Sequence, residues 1–184
     1  MRLWRVFSRV NLQSTDFELF DIPAQFAQER SVLDQRWKEI QREVHPDKFA
    51  SEGAAAQRVA MQWSVRINEA YQRLKDPLKR AAYICELNGA AVQADNNTAM
   101  PAAFLIQQME WREALEEVKT VAALEALNNE IQDVRRETLS KCGQCLDDSR
   151  DYPGAVALVR ALMFIERFAA DIDKRMDQLD SAAA

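Results

Sequence analysis

The sequence predicts an all-α protein, and three features point there. Its 184 residues hold 28 Ala against 24 Val, Ile and Thr combined, a balance that favours helix over pleated strand. Only 4 Gly and 5 Pro punctuate the chain. Between these breaks the apolar residues return at steps of three and four, the repeat of one helix face.

Residues 1–15 carry Arg2, Arg5 and Arg9 among Leu3, Trp4, Val6 and Phe7, with no acid. An organelle presequence shares this composition and an untrimmed start before Val10 also explains it, so the stretch is set aside as an N-terminal extension. From Asp16 a short helical turn bearing Phe17 and Phe20 leads to Pro23. Next, Leu33, Trp37, Ile40 and Val44 mark one face of a helix. It must end near Val44, because Pro46 disfavours the α conformation at His45 and has no N–H to donate. A matching stripe, Val59, Trp63, Ile67, Ala70 and Leu74, predicts a partner helix that stops before Pro77. Two such stripes joined by a short polar loop form an antiparallel helical hairpin.

A shorter helix, Leu78 to Leu87, runs into Asn88-Gly89, and the polar run Gln93 to Thr98 precedes Pro101. These breaks divide the chain into a first domain over 16–88, a linker over 89–101 and a second domain over 102–180. Three helices are expected after Pro101. Phe104, Trp111, Leu115 and Val118 share one face of the first, and Leu127, Ile131, Val134, Thr138, Cys142 and Cys145 line the second. Leu158, Leu162, Ile165, Ala169, Ile172, Met176 and Leu179 form a heptad seam on the third. Burying the three stripes together gives an antiparallel three-helix bundle.

Composition excludes several classes of function. The longest apolar stretch, Ala155 to Ile165, is broken by Arg160 and falls short of the ~18 residues a membrane span requires. Three Cys are too few for a disulfide framework and fit a reducing compartment, a cytosol or an organelle matrix. The formal charge is -5, carried mainly by the second half, so nucleic acid is not an expected partner and a basic protein surface is. With one His, no Gly-rich phosphate loop and no nucleophile beside a base, the chain lacks the usual catalytic constellations and is not expected to be an enzyme or to hold a cofactor.

The most informative segment joins the two long helices of the first domain: His45-Pro46-Asp47-Lys48-Phe49. Pro46 fixes one φ angle and so restricts the directions of His45 and Asp47. The histidine can donate or accept a hydrogen bond, and the aspartate can accept a charge-assisted one. Lys38 and Arg42 project about 140° and 180° from Leu33 at ~3.6 residues per turn. They therefore make a basic ridge that ends in a rigid acceptor; an ordinary turn beside a solvated face is the bland alternative.

At these residues the chain resembles the J-domain family, whose His-Pro-Asp loop stimulates ATP hydrolysis by DnaK-type chaperones. A closer resemblance is to the HscB family, J-proteins of iron-sulfur cluster assembly. It is carried by His45-Pro46-Asp47-Lys48-Phe49, Ile67-Asn68-Glu69-Ala70-Tyr71, Asp76-Pro77-Leu78-Lys79-Arg80-Ala81-Ala82-Tyr83 and the segment from Phe104 through Glu117. The resemblance implies a J-domain hairpin that docks a DnaK-type chaperone (HscA) through His45, Pro46, Asp47 and Lys48 with Arg36, Lys38 and Arg42.

The second domain offers another surface. On the wheel of the Ala102–Val118 helix, Leu105, Ile106 and Met109 lie away from the Phe104–Trp111 face, flanked by Glu110, Glu113 and Glu117. Phe164 and Phe168 sit off the heptad seam and are expected to face outward as well. An apolar cluster rimmed by carboxylates marks a binding surface, although packing within the bundle also accounts for such residues. In the HscB family this region binds the scaffold protein IscU, and the matching positions are Leu105, Ile106, Met109, Glu110, Glu113, Glu117 and Phe164.

Cys142-Gly143-Gln144-Cys145 has a spacing suited to zinc, iron or dithiol chemistry. Both cysteines continue the Leu127 stripe, however, and no second CxxC completes a ligand set; no metal site is expected. Together these readings describe a co-chaperone that brings IscU to HscA and assists cluster transfer to acceptor proteins. A J-protein for another client and a thiol-based metal or redox protein remain the alternatives, and a bacterial cytoplasm or a mitochondrial matrix the expected locations.

Overall fold

The computed structural model describes residues 10–92 and 101–183, and every described element is helical. Seven α-helices occur among these residues: α1 Asp16–Phe20, α2 Arg30–Val44, α3 Ala54–Lys75, α4 Pro77–Leu87, α5 Ala102–Glu117, α6 Val121–Gly143 and α7 Tyr152–Ala183. A 3-10 segment, Pro46–Glu52, joins α2 to α3, and a π-helical segment, Gln144–Ser149, follows α6. The chain divides into two compact units between Ile84 and Cys85. Residues 1–9 of the N-terminal extension and 93–100 of the expected linker lie outside the described residues.

In the first unit α2 and α3 form the hairpin, with α1 packed on both. Leu33, Val44, Ile67, Ala70 and Leu74 are buried as the stripes require. Val59 departs from its stripe and is 42% exposed. The opening turns of α3 pack on the Pro46–Glu52 segment rather than along α2, so the inward position passes to the fully buried Ala60. Gly53 permits the reversal that starts α3, since its φ of 94° lies in the region side chains disfavour.

A capping box between Thr15 and Glu18 starts α1. It delivers the Asp16 carboxylate into the interior, where Arg66 (2.7 Å) and Arg73 (3.1 Å) hold it. A charge removed from water requires such pairing, and losing one partner costs several kcal/mol, about 3–5 in buried pairs. The Tyr83 hydroxyl accepts from the Asp16 N–H at 3.0 Å, and Arg66 also donates to the carbonyls of Leu12 and Ser14. The residues just before α1 are thereby tied to the first unit.

At the far end of the hairpin, the Tyr71 hydroxyl donates to Asp34 at 2.7 Å and Arg30 donates to the same carboxylate oxygen at 2.7 Å. The Tyr71 bond, helped by Arg30, holds the Asp34 carboxyl below its ordinary value of 3.8 and pushes the Tyr71 phenol above 10.0. A depressed carboxylate stabilises the fold above its unfolded value and loses that contribution as pH falls through its folded one; a raised phenol stabilises below its unfolded value and loses it as pH climbs. The gap in unfolding midpoint between wild type and Asp34→Asn is therefore expected to be constant near neutrality and to close below about pH 4. Thermal melts between pH 2.5 and 8 check this, and a gap that persists in acid refutes it.

In the second unit, Trp111, Leu124, Leu127, Ile131, Ile165, Phe168 and Ile172 make the core of a bundle of α5, α6 and α7. Thr120 caps α6 by accepting from the Ala123 N–H. The Trp111 indole donates to Glu130 at 2.9 Å, so the largest core side chain is satisfied at its polar edge. Phe168 is only 3% exposed, which corrects its expected outward position. Helix α7 is packed by both α5 and α6, and its buried arc is accordingly wider than one heptad seam.

Candidate partner-binding surfaces

The first surface begins where α2 stops. His45 is its C-cap, with φ −57° and ψ 126°, and Pro46 opens the 3-10 segment. Phe49, 2% exposed, anchors that segment in the core. The loop is consequently held at both ends, by Val44 before it and Phe49 after it. Between them His45 Nδ1 accepts from the Asp47 N–H at 3.4 Å and lies 3.6 Å from the Asp47 carboxylate. An acceptor at Nδ1 leaves the proton of the neutral ring on Nε2, which makes the outer edge a donor. The Asp47 side chain is 91% exposed and keeps its carboxylate open to a partner's donor.

The structure gathers His45, Arg42 and Lys48, together with Gln41, around a shallow hollow of about 480 Å³. Lys38 is exposed farther along α2. Arg36 stands apart from this group. Its guanidinium is held by Asp21 at 2.7 Å and Glu39 at 3.6 Å, which offsets its charge. Gln41 escapes a reading based on charge and hydropathy, because a lone Gln beside an apolar stripe resembles any polar surface residue.

The second surface is on α5. Leu105, Ile106 and Met109 are 43, 58 and 71% exposed, and Glu110, Glu113 and Glu117 are exposed around them. The helix is thus apolar on two faces and only one of them is covered. Phe164 differs from its expected outward position: it is half-buried, edge-on to Phe104 at 5.9 Å and stacked with Phe168 at 6.1 Å. Arg112 lies 5.6 Å over the Phe164 ring and links it to the α5 face. On the opposite side Ile106 and Glu110 border a groove of about 530 Å³ floored by Phe104, Val134 and Leu158.

The cysteines are free thiols. Burial pushes Cys142 up to about 12 and Cys85 up to about 11, and the neighbouring sulfurs add to the effect. At neutral pH both remain protonated, and the thiolate is the form that binds metal or attacks. Among the described residues no three His, Cys, Asp or Glu side chains are grouped to hold a metal ion. No described helix is long and apolar enough to cross a membrane.

Residues 100–173 match the family model described as the HSCB C-terminal oligomerisation domain. Over 174 residues the chain is 51% identical to the co-chaperone protein HscB homolog of Burkholderia thailandensis, a match covering 93% of this chain and 99% of that one. The chain belongs to the HscB family. Among solved structures, chaperone HscB from Vibrio cholerae superposes with a TM-score of 0.77 at 34% identity, covering 90% of this chain and 99% of the other. Human co-chaperone HscB gives a TM-score of 0.81 at 24% identity, over 91% of this chain and 83% of its own, and shares the fold. Within this HscB-family chain both surfaces lie on regular helices or on a loop pinned at each end, so their geometry is set by packed elements.

Proposed function

We propose that this HscB-family co-chaperone stimulates the ATPase of a DnaK-type chaperone, HscA, and delivers the iron-sulfur scaffold IscU to it, assisting cluster transfer in a bacterial cytoplasm. The observation that carries the reading is the His45–Asp47 loop. Its imidazole and backbone satisfy each other, leaving an outward donor and an open carboxylate beside Arg42 and Lys48. Such a tip acts by binding one state of its partner better than another, so the chaperone does the chemistry and the co-chaperone shifts its population. The α5 patch supplies the second contact. Hydrophobic anchors rimmed by Glu110, Glu113 and Glu117 suit a scaffold surface that is apolar and basic. Holding both partners on one chain raises the effective concentration of scaffold at the chaperone.

The deciding experiment is the steady-state ATPase of purified HscA with the full-length chain, with and without IscU. The expected result is stimulation by the chain alone and greater stimulation with the scaffold. Basal hydrolysis in both arms overturns the reading; stimulation unaffected by scaffold removes the IscU half of it.

A further inference from the structure

We infer that Gln41 is a positioning residue for the chaperone-docking loop, acting through Ser64 and Asn68 of α3. The inference rests on reading His45–Asp47 as the docking element. Gln41 lies one turn before His45 and immediately precedes Arg42, and its amide is engaged at both ends. Oε1 accepts from the Ser64 hydroxyl at 3.0 Å; Nε2 donates to Asn68 Oδ1 at 2.7 Å and to the Ser64 carbonyl at 3.2 Å. Asn68 Oδ1 accepts a second bond, from the Trp37 indole at 2.9 Å. A ladder of directional bonds thus crosses the hairpin from α2 to α3 one turn before the loop.

The physical need for it follows from what else holds this end. Val44 and Phe49 are apolar anchors, and hydrophobic contact is non-directional. It resists separation of α2 from α3 and sets which face of α2 points inward, but it tolerates a small rotation of α2 about its own axis better than a directional bond does. Hydrogen bonds to a planar amide do not tolerate that rotation. At a side-chain radius of ~5–6 Å, a turn of roughly 20° sweeps the tips of Arg42 and His45 through about 2 Å. That displacement is enough to break a charge-assisted bond of ~2.8 Å to a partner. The ladder fixes the rotation, and the hollow shared by Gln41, Arg42, His45 and Lys48 keeps its shape before docking.

The test places the lesion on α3, because the described hollow is lined by none of its residues. Ser64→Ala, Ser64→Thr, Asn68→Ala, Gln41→Ala and the Gln41→Ala/Ser64→Ala pair are titrated into the HscA ATPase well below their unfolding midpoints. Ser64→Ala and Asn68→Ala are each expected to raise the half-stimulating concentration about threefold, the effect of one net hydrogen bond. Ser64→Thr keeps the hydroxyl and is expected to restore the wild-type curve. The Gln41/Ser64 pair is expected to match Gln41→Ala alone, since both act through one bond network. Wild-type titration curves in Ser64→Ala and Asn68→Ala, whatever happens to their melts, overturn the inference. Independent, multiplying effects in the pair also overturn it, because Gln41 then touches the partner directly. Failure of the wild-type chain to stimulate at all is a different result and removes the functional reading itself. If Asn68→Ala does not fold, the half-buried Ser64 substitutions still decide the matter.

Discussion

In His45→Gln, stimulation of the chaperone ATPase is expected to fall to the basal rate while the protein stays folded. His45 is 58% exposed at its side chain and bonded only to its own loop. Its replacement therefore falls within the ~0.5 kcal/mol range of surface substitutions, a shift of about 4 °C or less in the melt of a domain this size. Glutamine keeps a donor and an acceptor but loses the planar ring that receives the Asp47 N–H, so Asp47 is no longer aimed. Asp47→Asn provides the companion measurement. It retains the shape and removes the charge, and a charge-assisted bond of ~1.5–3 kcal/mol corresponds to a loss of roughly ten- to hundredfold in docking. Near-normal stimulation by either variant, measured against matched melts, would refute the loop assignment.

The second large effect is expected on α5. Leu105→Ala together with Met109→Ala should weaken scaffold binding about fifty- to hundredfold by titration calorimetry. Each truncation removes three heavy atoms at ~0.8 kcal/mol per buried methylene; discounting by half for incomplete burial at an interface leaves about 2.4 kcal/mol for the pair. Both side chains are exposed before binding, so the melt should hardly move. Phe164→Ala is a less selective probe. The ring packs against Phe104 and Phe168, and its loss opens a hole in the bundle as well as altering the surface. Unchanged affinity in the Leu105/Met109 pair would dismiss the patch.

How much of this was legible beforehand depends on the kind of force involved. Periodicity located the hairpin helices, because Leu33, Val44, Ile67 and Leu74 are inside for the one reason a hydropathy pattern records. The same pattern separated the two faces of α5, with Trp111 at 2% exposure on one and Met109 at 71% on the other. It failed at Val59 and Phe168, where a third segment decides which arc of the helix is covered. A single helix wheel holds no information about how many neighbours a helix will have. Polar structure was the least visible. Asp16 is fully buried between two arginines distant in sequence, and Gln41, Ser64 and Asn68 meet only once the hairpin closes. Asn68 belongs to the Ile67–Tyr71 segment that resembles the HscB family, and its bonds to Gln41 and Trp37 give that residue a physical role.

The covered sulfurs of the second unit bear on the proposed errand. A courier of iron-sulfur scaffolds travels beside a cargo for which thiolates compete, and an ionised cysteine on its flank could strip iron in transit. Here Cys85 and Cys142 keep their protons well into the alkaline range. On the proposed reading, these two thiols would leave the metal chemistry of the cargo untouched while the second unit grips its container.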